Sequence, residues 1–162
     1  MAMNSLHDLF VHFVRDIYYA EKKVLKTLPR MARKADSDAL RDAFEEHQQE
    51  TEKQIENLEA VFEVLELKPR GVTCEAIDGI LEEGKEIMSE TSDHDARDAG
   101  MIAAAQAVEH YEITRYGTMV AWANQLDLPK AAKLLQANLD QEYAADRKLS
   151  ELAEVQLNRE AA

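Results

Sequence analysis

The chain has 162 residues, with 32 acidic and 19 basic side chains and a formal net charge of −13. This length is enough for one domain with a hydrophobic core, while scarce Gly (5) and Pro (3) favour helix. The charge argues against nucleic acid as a partner, because nucleic-acid binding needs a basic surface. We therefore expect a single all-α domain over residues 1–162.

The N-terminal segment, Met1 to Val14, has Asp8 within its apolar stretch and no basic region before it. It has the pattern of neither a signal peptide nor a membrane span. Cys74 is the only cysteine, so no internal disulfide is expected, as is usual in a reducing compartment. We expect a cytoplasmic protein without a membrane partner.

The helical pattern divides into five segments that are long, long, short, long and long. The predicted helices run from about Ser5 to Lys34, Asp38 to Leu65, Cys74 to Ser89, Ala96 to Asn124 and Leu128 to Asn158. The expected N-caps are Ser5, Asp36 or Ser37, Thr73, and a residue between Ser92 and Asp95. Pro29 predicts a kink or an early end of the first helix, whereas Pro129 lies in a first turn, where proline is tolerated.

The connections between these segments predict the topology. Tight turns join the first two long helices and the last two, so each pair forms an antiparallel hairpin. The connection between the pairs spans about 30 residues, enough to travel back along a bundle, so that the second and fourth helices run parallel. The sequence predicts a ferritin-like four-helix bundle whose long crossover carries a short fifth helix.

Acidic residues interrupt the apolar stripes of the long helices. Glu21, Glu112 and Glu142 each lie at the centre of a stripe that would otherwise be purely apolar. Glu109 lies at the edge of the same stripe as Glu112, and Asp146 lies at the margin one turn after Glu142. A buried carboxylate is costly unless it is paired or bound to a metal. These residues are therefore candidate metal ligands.

The distances of the acids from the turns predict that they share one level of the bundle. Glu21 lies 15 residues before the first turn and Glu50 lies 14 after it, while Glu112 and Glu142 each lie 15 from the second turn. On the second helix, His47 is near the centre of the stripe and Glu50 is about 60° off it. His47 would lie roughly 4–5 Å nearer the turn. We take Glu50 as the ligand, and His47 as an outer ligand or a residue that orients one.

Four carboxylates at one level predict a two-metal site. Carboxylates with few imidazoles favour iron or manganese and can bridge two ions. Zinc is a weaker candidate, and calcium is disfavoured because rigid helices present few backbone carbonyls.

Each residue also has a purely structural interpretation. Any single glutamate could lie at an edge and reach water, and His47 could be a core histidine with satisfied hydrogen bonds. Gln54 could form a hydrogen bond between helices, and Asp146 could pair with Arg147 or a nearby lysine. His110 points away from the glutamates and is expected at the surface.

Five segments carry a resemblance to a bacterial family. They are Tyr18-Tyr19-Ala20-Glu21-Lys22, Glu50-Thr51, Glu109-His110-Tyr111-Glu112-Ile113, Tyr116-Gly117-Thr118 and Ala131-Ala132-Lys133-Leu134-Leu135. The chain resembles the YciF-type stress proteins over nearly its whole length. The resemblance implies a ferritin-like fold, a role in stress responses and a homodimer. It implies no specific reaction, because that family has no firmly assigned activity.

The wider ferritin-like superfamily includes the rubrerythrins, which carry a Glu-x-x-Glu pair on the third bundle helix. Glu109 and Glu112 match that pair, and by the same resemblance Glu21, Glu50 and Glu142 match the ligands of the other three helices.

The chain also departs from that pattern. Lys53 and Ala145 stand where the histidine ligands of rubrerythrins would be. The resemblance leaves His47 and Asp146 as imperfect substitutes.

Three functional hypotheses follow. The first is a stress protein with a dinuclear iron or manganese site, acting on peroxide or ferrous iron as a peroxidase or ferroxidase would. The second is a non-enzymatic interaction or assembly module that keeps a vestigial site. The third, iron storage, requires a closed shell of many subunits. Ile77 and Met88 of the crossover helix would form a dimer contact or cover the bundle.

Overall fold

The computed structural model describes residues 3–162, and this range is helical without any strand. The five main helices are α1 (Leu6–Lys34), α2 (Asp38–Val64), α3 (Glu75–Glu90), α4 (His94–Gln125) and α5 (Pro129–Leu152). After α5 the chain continues through a π-helical turn, Ala153–Leu157, and a last helical turn, Asn158–Glu160. The all-α prediction and the five segments are confirmed. No helix in the described range is both long and apolar enough to cross a membrane.

Side chains cap the first four helices, three of them as predicted. Ser5, Ser37 and Asp93 each accept a hydrogen bond from the amide three residues further on. The prediction of Thr73 as a cap was wrong, because the sulfur of Cys74 accepts from the amide of Ile77 and caps α3. Cys74 is buried in the core, so the packing of its side chain fixes where the helix begins.

Pro29 does not end α1, which continues to Lys34. The buried side chains of Leu28, Met31 and Ala32 lie on both sides of the proline. Tertiary packing of an apolar face supplies most helix stability in proteins, so this packing outweighs the backbone hydrogen bond that the proline removes.

The four long helices contact one another in a ring, in the order α1, α2, α5, α4. Gln54 of α2 is hydrogen-bonded to Glu142 of α5, and the amide of Asn57 donates to Asn138, 2.7 Å away. Because the partner number falls as the α2 number rises, these two helices are antiparallel. The short turns at residues 35–37 and 126–128 make the other consecutive pairs antiparallel, so α2 and α4 run in the same direction, as predicted.

The crossover packs against α1 before α3 begins. The amide of Val72 donates to the carbonyl of Arg15 at 3.2 Å. A Cβ on Gly71 would lie only 3.0 Å from the Cβ of Tyr19, which is tighter than most Cβ contacts, so glycine suits this close approach. The hydroxyl of Tyr19 then donates to Asp78 at 2.7 Å and holds α3 on α1.

The apolar stripe of α3 faces the other helices of this chain. Ile77 and Met88 are both buried, and α3 contacts α4 and α1. Of the two alternatives for these residues, covering the bundle is therefore the one that the structure shows.

Candidate metal centre

Four buried side chains from three helices meet in the interior: His47 of α2, Glu109 and Glu112 of α4, and Glu142 of α5. One ligand atom from each lies within 4.8 Å of the others. Glu109 and Glu112 meet there because residues three apart share a helix face. Imidazole and carboxylate groups are ligands for several divalent metals. This group could bind a metal ion.

The first helix adds an acid next to this group. Glu21 is fully buried, and its Oε1 accepts a hydrogen bond from the hydroxyl of Tyr116. The carboxylates of Glu112 and Glu142 are near enough to act on its titration. All four long helices therefore contribute a buried acid or imidazole at this level.

The buried group contains His47 and not Glu50, whereas the sequence favoured Glu50 as the ligand from the second helix. His47 belongs to the buried group, whereas Glu50 is 28% exposed and its Oε2 lies 3.2 Å from the Nδ1 of His47. The Nε2 of His47 lies 3.1 Å from Glu109 Oε1, although the two groups are not aligned as a hydrogen bond. His47 lies on the face of α2 that points into the bundle, whereas Glu50 lies to the side of that face.

Asp146 lies outside the buried group. Its Oδ1 is 3.1 Å from the Nε2 of His110, whose side chain is 68% exposed, and it accepts from the amide of Gln106, also at 3.1 Å. His110 is at the surface, as expected, and Asp146 pairs with it rather than with Arg147.

Several oxygens of the buried acids have no hydrogen-bond partner among residues 3–162: Glu21 Oε2, Glu109 Oε2, Glu112 Oε1, Glu112 Oε2 and Glu142 Oε2. An unpaired buried polar atom costs about 1–3 kcal/mol. Several such costs at one place call for an explanation, such as a bound ion that offsets them. A cation among these oxygens would do so, and the residues present therefore fit a metal.

The electrostatics of the site show the same shortage of positive charge. Burial, together with the charge of neighbouring carboxylates, holds the pKa values of Glu21, Glu109 and Glu112 well above the ordinary value of 4.5. Burial lowers the pKa of His47, but Glu50 and other carboxylates outweigh it and raise that pKa above 6.5. These raised pKa values favour protonated carboxyl groups in the metal-free site, and an incoming cation would displace those protons.

A polar network beside Glu21 contains two asparagines, Asn57 and Asn138, that were not predicted. The amide of Asn138 donates to the hydroxyl of Tyr116 at 3.2 Å and accepts from Asn57. The sequence does contain a signal, because Asn138 lies four residues before Glu142 and Tyr116 lies four after Glu112. Such pairs share a helix face, so both residues point toward the same level of the interior.

The chain matches a known protein family over residues 5–162, under the description "Domain of unknown function (DUF892)". The chain belongs to this family. It is 43% identical to Protein YciF of Escherichia coli (strain K12) over 162 residues, which are 99% of this chain and 98% of that protein. The resemblance to the YciF-type proteins is confirmed.

Solved structures of similar proteins share the fold. The crystal structure of the E. coli stress protein YciF has a TM-score of 0.92 at 43% identity, covering 96% of this chain and 99% of that one. YcfI of Rhodopseudomonas palustris has a TM-score of 0.90 at 46% identity, covering 91% and 94%. A protein of Xanthomonas campestris reaches 0.75 at 21% identity, covering 98% and 100%, and at that identity the likeness concerns the fold alone.

Proposed function

We propose that this protein is a ferritin-like stress-response protein that holds a dinuclear iron or manganese centre in its interior. The observation that carries the proposal is the set of buried carboxylate oxygens that lack partners within residues 3–162 and belong to three different helices. The E. coli relative is described as a stress protein, which supports the same role here.

The proposed ligands are the residues that meet at one level: His47, Glu109, Glu112 and Glu142, with Glu21 next to them. Four carboxylates and one imidazole form a hard, oxygen-rich donor set, which favours iron or manganese over zinc. Carboxylates can bridge two ions, and four of them supply enough negative charge for a divalent pair. Glu50 orients His47 through its Nδ1, and Asp146 is the least direct candidate, because it pairs with His110.

A dinuclear iron or manganese centre would supply redox chemistry with an oxidant such as peroxide or dioxygen. The residues of the chain bind and shield it. Tyr116 holds one oxygen of Glu21 and Gln54 holds one oxygen of Glu142, which leaves the other oxygen of each free for a metal. The buried position keeps bulk water away from the centre. This arrangement supports peroxide consumption or ferrous-iron oxidation as the activity.

The ferritin-like assignment of the fold is part of the proposal. It is supported by the ring of α1, α2, α5 and α4 and by the long crossover that makes α2 and α4 parallel. A cytoplasmic homodimer is proposed from the resemblance. Light scattering that shows a dimer supports it, whereas a closed shell of many subunits would favour iron storage.

Metal quantification tests the proposal. Protein purified without chelator and reconstituted with ferrous iron or manganese should retain close to two ions per chain. Glu112→Gln removes a central ligand and should lose most of this metal, while Asp146→Asn, outside the buried group, should retain it. Retention below about half an ion per wild-type chain would reject the metal centre.

The alternative is a non-enzymatic module with a vestigial site. One observation favours it: the hydroxyl of Tyr116 and the amide of Gln54 already satisfy part of the acidic cluster. Under this alternative the wild-type chain retains no metal, and Glu112→Ala is neutral or stabilising because it removes a buried acid without a partner.

A further inference from the structure

A cavity of about 90 Å³ lies directly beside the candidate metal centre. His47, Glu109 and Glu50, the partner of His47, are among the residues that line it. The buried part of the remaining lining is apolar and is formed mainly by Val24, Leu28, Met31, Phe44, Val108 and Leu149. The cavity thus joins an apolar chamber to two proposed ligands.

The cavity reaches the surface between α2 and α5. Of its lining residues, the exposed ones are Glu46 on α2 and Ala144 and Lys148 on α5. Glu46 and Lys148 form an ion pair that links the two helices at this opening. Exposed ion pairs contribute little free energy, so this one can open without a large cost.

We propose that this cavity binds a small, uncharged, apolar molecule of the size and polarity of dioxygen against His47 and Glu109. The proposal rests on the proposed metal centre and specifies which of its two candidate oxidants the chain is shaped to admit.

The lining decides between these oxidants. Apolar cavities stay dry and take up apolar molecules, and one of about 150 Å³ holds benzene or xenon. Water needs two to four polar partners in order to occupy a buried site, and hydrogen peroxide has similar needs. Most residues that line this cavity present aliphatic or aromatic carbon, and its polar lining residues are Thr27, Glu46, His47, Glu50, Glu109 and Lys148. A cavity with a mainly apolar lining therefore offers peroxide few partners. Dioxygen makes no such demand and suits the smaller volume.

Small side chains create the space. Ala105 on α4 and Ala145 on α5 both line the cavity, and a larger residue at either position would extend into it. Ala145 is half-buried, so a leucine there would reduce the volume with little strain on the core, and leucine retains high helix propensity. Ala137 is an exposed alanine of the same helix that does not line the cavity. Ala137→Leu is therefore a matched control.

Xenon binding to the metal-free protein tests the cavity without any requirement for metal. Under xenon pressure, the methyl NMR signals of Val108 and Leu149 should shift and saturate in the wild type and in Ala137→Leu. These shifts should be lost in Ala145→Leu. Ala105→Val serves as the second cavity variant if Ala145→Leu does not fold. Absence of saturable shifts in the wild type, or their persistence in the cavity variant, would overturn the proposal.

Oxidation rates of the ferrous-loaded protein test the choice of oxidant. Ala145→Leu should slow oxidation by dioxygen several-fold more than oxidation by hydrogen peroxide, while Ala137→Leu should change neither rate. Equal slowing with both oxidants would contradict selective uptake of the apolar one. Failure of the metal centre itself would appear separately, as absent iron binding in the wild type.

Discussion

Two buried acids on α1 accept hydrogen bonds from tyrosines on α4, and their surroundings differ in one respect. Asp16 accepts from Tyr111 at 2.5 Å, and Arg115 lies 3.6 Å from the same carboxylate oxygen. Glu21 accepts from Tyr116, but within residues 3–162 no lysine or arginine pairs with it. The cationic side chain of Arg115 therefore accompanies the Asp16–Tyr111 pair, whereas no lysine or arginine of the described residues accompanies the Glu21–Tyr116 pair.

This difference separates a structural cluster from a candidate binding site. The Asp16 cluster is completed by the chain, because the Nε of Arg115 donates to the hydroxyl of Tyr111 at 3.1 Å and Cys74 contacts the same hydroxyl. At Glu21 the second carboxylate oxygen has no partner in the described chain. The Asp16–Tyr111 pair thus holds the crossover through Cys74. The Glu21–Tyr116 pair instead leaves a carboxylate oxygen for an added cation.

The largest expected effect comes from supplying that cation. Ferrous iron or manganese at about a thousand times its dissociation constant should raise the free energy of unfolding by roughly 4 kcal/mol. Glu112→Gln should lose most of this increase, whereas Asp16→Asn should keep it, because Asp16 belongs to the other cluster. Denaturant unfolding with and without metal measures both. Equal metal-linked stabilisation in wild type and Glu112→Gln would erase the distinction between the two clusters.

Removing the tyrosine hydroxyls should affect the two clusters in different ways. Tyr111→Phe should lower the free energy of unfolding by about 2 kcal/mol, since a hydrogen bond to a charged group is lost, and should leave metal affinity unchanged. Tyr116→Phe should instead weaken metal binding, because Glu21 loses the group that orients it. Chemical denaturation and metal titration of both variants test this. Weakened metal binding in Tyr111→Phe would mean that the two clusters are coupled.

Substitutions of Glu50 and His47 test which of these two residues of α2 is the metal ligand. Glu50→Gln should weaken metal binding about tenfold, the lower end of effects seen when a group that orients a ligand is changed. His47→Gln should weaken it more, because the ligand itself is removed. Isothermal titration with manganese compares them. A larger loss in Glu50→Gln than in His47→Gln would restore Glu50 as the ligand.

The smallest expected effect is on the pH dependence of the metal-free protein. The pKa of Glu112 is raised above 4.5 in the folded state by burial and by neighbouring carboxylates. The folded state therefore binds the proton of Glu112 more tightly than the unfolded state does. This proton makes its full contribution to the free energy of unfolding below pH 4.5, and that contribution is lost as pH rises through the folded pKa. Glu112→Gln should flatten this decline and stabilise the metal-free protein at neutral pH by about 1 kcal/mol.

Metal should reverse the sign of this dependence, because a cation displaces the protons and binds more tightly as pH rises. Unfolding measured over a pH series, with chelator and with metal, tests both signs. A stability of the metal-free wild type that rises with pH over this range would contradict the raised pKa.

Local patterns in the sequence determined the helices and the candidate acids. Hydrophobic periodicity, scarce glycine and the caps at Ser5, Ser37 and Asp93 define four long helices and one short one, because these signals act within a few residues. The spacing from the turns also placed Glu21, Glu112 and Glu142 at one level, since helix rise per residue is constant. These features need no knowledge of what packs against them.

Only the tertiary structure decided which of those acids lack a cation. Packing of α2 in the ring buries His47 beside Glu109 and leaves Glu50 28% exposed, although the sequence favoured Glu50 as the ligand. Asp146 lies outside the group because His110 and Gln106 of α4 reach it, and Arg115 reaches Asp16 but not Glu21. Burial and pairing are properties of contacts between helices that are distant in sequence, so the sequence could supply the candidate ligands while packing selected among them.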